Sequence, residues 1–209
     1  MKGFKLGTPA LVCRWRLAGK RVPMEIRHLR ALSDRYVNGA RVSPELVAWA
    51  KQHIEWTLAD GAVREPDGVL MIVVDKDGQA AMSVGPYVQL DATNTVALRK
   101  RAAQAHEEAL ETGVAPETLW CARDGKLGVA VSTKEELSGA ATLVVDLAHV
   151  RHMEVGFMGD VFGEAEAGGV FLVSDEHGIV PASDHPSDLG SRLSADYDRL
   201  LETTRLSKP

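Results

Sequence analysis

Apolar and polar positions along the 209-residue chain alternate between two rhythms. From Thr8 to Leu17 the period is two, with Leu11, Cys13 and Trp15 facing one way and Ala10, Val12 and Arg14 the other. That is the pattern of a strand with one buried face. Val69 to Val74 is apolar throughout and rich in β-branched residues, which predicts a central strand covered on both faces. Asp75-Lys76-Asp77-Gly78 comes next. Asp-Gly supplies the positive φ angles of a tight turn, so Gln79 to Val84 is expected to return as the partner strand. The same wording recurs twice. Thr118 to Ala122 and Lys126 to Val131 flank Arg123-Asp124-Gly125, and Val170 to Val173 and Ile179 to Pro181 flank Asp175-Glu176-His177-Gly178. Ala141 to Leu147 reads as one more buried strand, and the longer segment LVVDLAHVRHMEV as at least half strand.

Helical spacing fills the intervals. Pro23 can open a helix because the first helical position needs no N–H donor. Ile26, Leu29, Arg30 and Ser33 would form its stripe, and Asn38-Gly39 stops the run. Ser43-Pro44-Glu45 combines a cap, a first-turn proline and a carboxylate that complements the helix dipole. Leu46, Trp49, Ala50, His53, Ile54 and Leu58 recur at helical intervals up to Gly61. A long helix spans Thr95 to Thr112, with Val96, Ala103, His106 or Glu107, and Leu110 on one face and Gly113 as terminator. Ser132-Thr133-Lys134-Glu135 fits a capping box, and a last helix from Asp188 to Thr204 carries Leu189, Leu193, Tyr197, Leu200 and Leu201. The expected fold is α+β: a mixed, mainly antiparallel sheet built from hairpins with packed helices. It is read as a single domain over 1–209, with a soft boundary near 91–94.

Composition narrows the partners. A net charge of −5 and few aromatic residues argue against a nucleic-acid surface. Arg27, Arg30, Arg35 and Arg41, and Arg99, Lys100 and Arg101, read as solvated helix faces. The apolar runs are too short for a membrane span, and the N-terminal segment is too short and Arg-interrupted for a signal peptide, so a cytoplasmic location is expected. Cys13 and Cys121 sit within strand wording and read as buried, reduced core residues. A homodimer is expected, with Trp49, Trp56 and Tyr87 as candidate contacts.

Candidate chemistry is sparse. His149, His152, His177 and His185 fall in the last third, close to Asp146, Glu154 and Asp184. Imidazole with carboxylate is the donor set of a catalytic zinc or iron site, so a divalent metal serving a hydrolase or lyase is one reading. Polar residues at a strand end or loop are the other, because no HExxH spacing is present. The glycines from Gly156 to Gly169 lack dinucleotide-loop spacing, and no Gly-x-Ser-x-Gly occurs.

Several pieces stand in the order of a known family. Arg27-His28-Leu29-Arg30-Ala31-Leu32, Gly68 to Val74, the segment AQAHEEALETGVAPETLWCARDGKL and GGVFLVSDEHGIVP together resemble class IV, branched-chain-type aminotransferases. The resemblance implies a pyridoxal-phosphate (PLP) scaffold. It places the Schiff-base lysine at Asn94 to Ala97, where none occurs, and leaves Lys100 as the nearest. It sets Leu189-Gly190-Ser191-Arg192 where a Gly-Ile-Thr-Arg turn would bind the cofactor phosphate, so Ser191 and Arg192 are the implied phosphate contacts. The glutamate implied after Gly125 is not supplied by KLGVAVSTKEE. With these departures, the resemblance implies a relative that has lost transamination and serves as a non-catalytic binding or interaction domain for a small molecule.

Overall fold

The three sequence hairpins become two sheets. A computed structural model describes residues 5–59, 64–123, 125–131, 135–157 and 169–207. β1 (Pro9–Arg16) runs antiparallel to β4 (Val69–Asp75), which pairs in turn with β5 (Ala80–Gly85), so that β4 is the centre of a three-stranded sheet. The alternation in β1 holds residue by residue: Leu11, Cys13 and Trp15 are buried and Arg14 is exposed. α1 (Glu25–Ser33) and α2 (Pro44–Ala59) supply Leu29, Leu32, Ala50 and Ile54 to the core over Leu70, Ile72 and Val74. The other face of β4 is less covered than its apolar run predicts, since Met71 and Val73 are half-buried. Asn38 and Gly39, expected to end a helix, are the central residues of a small hairpin between β2 (Tyr36–Val37) and β3 (Ala40–Arg41). Their φ values of 51° and 76° are those a two-residue turn with matching twist requires.

The second sheet has the order β10-β9-β6-β7-β8. Its strands are β6 (Glu117–Arg123), β7 (Lys126–Val129), β8 (Glu154–Phe157), β9 (Gly169–Ser174) and β10 (Gly178–Pro181). All pairs are antiparallel except β7 with β8. Alternation in β6 and β9 sorts side chains between two layers. Leu119, Cys121, Val170 and Leu172 pack with Leu98 and Ala102 of α3 (Thr95–Thr112). Trp120, Phe171 and Val173 pack with Val144 of α4 (Gly139–Val150) and Leu193 and Tyr197 of α5 (Asp188–Leu206).

Three expectations are corrected here. The buried strand read at Ala141 to Leu147 is helix α4, capped by Ser138, whose Oγ accepts from Ala141 N–H at 3.4 Å. Buried Ala140, Ala141, Val144 and Ala148 recur at helical spacing, which an unbroken apolar run conceals. The buried stripe of α3 is Leu98, Ala102, Ala105 and Ala109, whereas Val96 and Leu110 are 75% and 72% exposed. In α1 Ile26 faces outward and His28 inward. In both helices small or polar residues share the close-packed side with leucines. Gly61, most of the Ser132–Glu135 capping box and the stretch 158–168 lie outside the described residues. Among the described residues no helix is long and apolar enough to cross a membrane.

Candidate functional site

The two sheets meet where β1 ends beside the β9–β10 turn, with Arg16 N–H donating to the Asp175 carbonyl at 3.1 Å. The turn is held from within. Ser174 Oγ accepts from the backbone N–H groups of Glu176 and His177 at 3.2 and 3.0 Å and donates to Glu117 at 3.0 Å. Gly178 closes it at φ 74°, with the ring of Tyr197 against the position a Cβ would take. Glu117, at the start of β6, accepts two hydrogen bonds from Arg101 of α3, at 2.8 and 2.7 Å. This fork geometry fixes the guanidinium plane.

Arg101 also fixes the tautomer of His177. Its Nη2 lies 3.1 Å from His177 Nε2 and can only donate, so Nε2 accepts and the proton sits on Nδ1. Nδ1 faces the Tyr87 hydroxyl at 3.5 Å. Burial pushes the His177 pKa down to about 4; Glu117 opposes this, and Arg101, Arg16 and Arg14 reinforce it. The imidazole is therefore neutral at physiological pH. The Tyr87 ring carries the Arg16 guanidinium 3.3 Å from its centroid. Arg16 Nη1 is buried without a hydrogen-bond partner.

A second cluster lies on the inner side of the turn. Asp175 is buried, accepts from Ala140 N–H at 2.8 Å in the first turn of α4, and places Oδ2 3.5 Å from His28 Nδ1. That separation makes the His28 contact electrostatic rather than a well-formed hydrogen bond. His28 stacks on Trp15 with centroids 5.1 Å apart. Burial raises the Asp175 carboxyl, but His28, the Ala140 N–H and Arg35 outweigh it and hold the group below the usual carboxylate range. Arg35, read from sequence as solvated, is buried with Nη1 3.6 Å from Glu108, whose carboxyl burial pushes up.

Two cavities flank this junction. One of about 220 Å³ lies between β1 and α3, bounded by Arg14, Arg101, Glu108, Glu117 and Glu176. The other, about 520 Å³, is a groove bounded by Arg16, Tyr87 and His177 on one side and by the C-terminal half of α5 on the other. Its size suits a small organic molecule.

The residues singled out from sequence are placed differently. His149 and His152 stand exposed at the end of α4, His177 lies in the β9–β10 turn, and His185 is exposed beyond β10. Among the described residues no group of three or more His, Cys, Asp or Glu side chains could hold a metal ion. Lys100 is exposed on α3. Leu189-Gly190-Ser191-Arg192 is not a turn but the start of α5: Ser187 Oγ caps Gly190 N–H at 2.8 Å, and Ser191 and Arg192 face outward. Of the candidate contacts, Trp56 is exposed, Trp49 is half-buried and Tyr87 belongs to the groove.

Arg16, Arg101 and Glu117 were not legible as a set, since they come from a strand, a helix and another strand. The available signal was weak: charged residues at a strand end and an acidic-histidine turn.

The position of the implied lysine is occupied by other chemistry. Thr95 begins α3, and both its N–H and its hydroxyl donate to Asp184 at 2.8 Å. No described lysine lines either cavity at the sheet junction. β7, after Gly125, carries no carboxylate. The implied lysine position and β7 therefore supply neither a Schiff-base lysine at Asn94 to Ala97 nor a carboxylate after Gly125, while Lys126 and Arg192 line a separate cavity of about 700 Å³.

No family model matches the sequence, and no curated protein sequence does. Solved structures do. A candidate 4-amino-4-deoxychorismate lyase from Legionella pneumophila superposes with TM-score 0.62 at 10% identity, over 95% of this chain and 96% of that one. The T.th. branched-chain amino acid aminotransferase, complexed with N-(5'-phosphopyridoxyl)-L-glutamate, gives 0.59 at 11% identity, over 96% and 87%. The fold IV-transaminase from Curtobacterium pusillum gives 0.59 at 14%, over 91% and 85%. The chain has the class IV aminotransferase fold.

Proposed function

We propose that this chain is a binding domain on the class IV aminotransferase fold, without Schiff-base chemistry or catalysis of its own. The observation that carries the reading is Thr95. Where the fold's lysine is implied, this chain has a buried threonine whose donors are both spent on Asp184. A lysine amine would need a pocket that opens onto a cofactor, whereas the start of α3 is closed by a carboxylate. Lys100, five residues on, points to solvent. The polar groups at the sheet junction are largely committed to one another, which suits holding a ligand more than moving protons.

Titration with pyridoxal phosphate tests this. The expected result is no saturable, one-per-chain Schiff-base absorption, in wild type and in Lys100→Ala alike. A saturable band that a single lysine substitution abolishes overturns the proposal.

A further inference from the structure

We propose that the groove beside Arg16 binds a small organic monoanion, its carboxylate on Arg16 and its apolar body against α5. This rests on the reading of the chain as a binding domain and names the class of its ligand. Among the described residues Arg16 forms no ion pair, although it is half-buried and desolvation lowers its pKa. Its Nη1 is buried and has no acceptor. A buried donor without a partner is costly, and most such groups in folded proteins are satisfied. The neighbouring cations differ: Arg101 is held by Glu117, and Arg205 by Asp67 at 2.6 Å. Arg16 is thus the guanidinium with capacity to spare, and it borders the groove of about 520 Å³.

The surroundings set the ligand's charge and shape. Tyr87 lies against the guanidinium face, and a planar guanidinium matches a carboxylate along its N–H edges. His177 is neutral, with both ring nitrogens directed at protein groups, and adds no second positive charge. Asp198 and Glu202 stand exposed on the α5 side and disfavour a dianion such as phosphate. Leu201 and Tyr197, both largely buried, supply the apolar wall. The site is separate from the implied phosphate contacts. Arg192 lies thirteen positions before Arg205 on α5, about 20 Å along the axis at the helical rise.

The probe is benzoate, monitored by calorimetry or saturation-transfer NMR, with benzamide as the uncharged isostere and inorganic phosphate as the dianion. Benzoate is expected to bind wild type at least ~10-fold more tightly than benzamide or phosphate, and Arg16→Gln to weaken it ~10-fold or more, the worth of a charge-assisted hydrogen bond. Glu202→Lys, on the exposed face of α5, is expected to tighten benzoate binding without disturbing the fold. It keeps the test decisive should Arg16→Gln unfold. Equal binding of benzoate and benzamide, unchanged affinity in Glu202→Lys, or no benzoate binding overturns the proposal. A pyridoxal-phosphate adduct on a lysine would instead overturn the non-catalytic reading and leave the Arg16 result intact, so the two failures are distinguishable.

Discussion

Asp175→Asn removes one charge and little volume from the point where the two sheets, α1 and α4 converge. Asp175 is 3% exposed, accepts from Ala140 N–H at 2.8 Å and faces His28 at 3.5 Å. Breaking a buried ionic contact by removing one partner costs about 3–5 kcal/mol. His28 is an ion-pair partner only when protonated and the asparagine keeps one acceptor for Ala140 N–H, so the expected loss falls below that range, at about 2–3 kcal/mol. For a chain of this size that is a fall in Tm of roughly 5–10 °C. The sign with pH is set by the lowered carboxyl pKa. The folded value lies below the unfolded one, so the stabilisation is full above about pH 4 and is lost as pH falls through the folded value. Urea unfolding monitored by tryptophan fluorescence at pH 7, with thermal melts down to pH 3, measures both. The gap between wild type and variant should be widest at neutral pH and narrow on acidification. A variant within ~0.5 kcal/mol of wild type at pH 7 would refute the idea that this carboxylate is a net stabilising anchor.

Three further outcomes are expected. Gly178→Ala should destabilise by about 2–4 kcal/mol in the same urea assay, since φ is 74° and the added Cβ would meet the Tyr197 ring at 2.3 Å. Cys13 and Cys121 are buried, and burial pushes the Cys13 thiol up, so Ellman's reagent should detect no thiol in the native protein and both after denaturation. With a pKa near 4, His177 should show no imidazole titration between pH 5 and 8 by NMR. Because its folded value lies below the unfolded one, its contribution to stability is full above about pH 6.5 and declines toward pH 4.

The Asp75–Gly78 hairpin was legible because Asp-Gly turns act locally, whereas Asn38-Gly39 read as a helix stop and proved to be the turn between β2 and β3; the alternation in β1 was legible because one face of its sheet is covered. Helix α4 was not, since an apolar run of helix length reads equally as strand until its cap and neighbours are known. The stripe of α3 was misplaced because its buried side is alanine, which pattern reading ranks below the exposed Val96 and Leu110. The absence of a lysine at Asn94 to Ala97 was visible in the sequence, but its replacement by a Thr95–Asp184 contact was not, because the partners are 89 positions apart. The charged junction of Arg16, Arg101 and Glu117 was hidden for the same reason: its members come from separate elements, and each alone reads as a surface charge.

The most direct test is the intact mass of the purified, untagged protein after incubation with excess pyridoxal phosphate and borohydride reduction. The account predicts an unmodified chain, apart from sub-stoichiometric labelling spread over surface lysines. A single stoichiometric pyridoxyl adduct, mapped to Lys100 or any other one lysine, would contradict it.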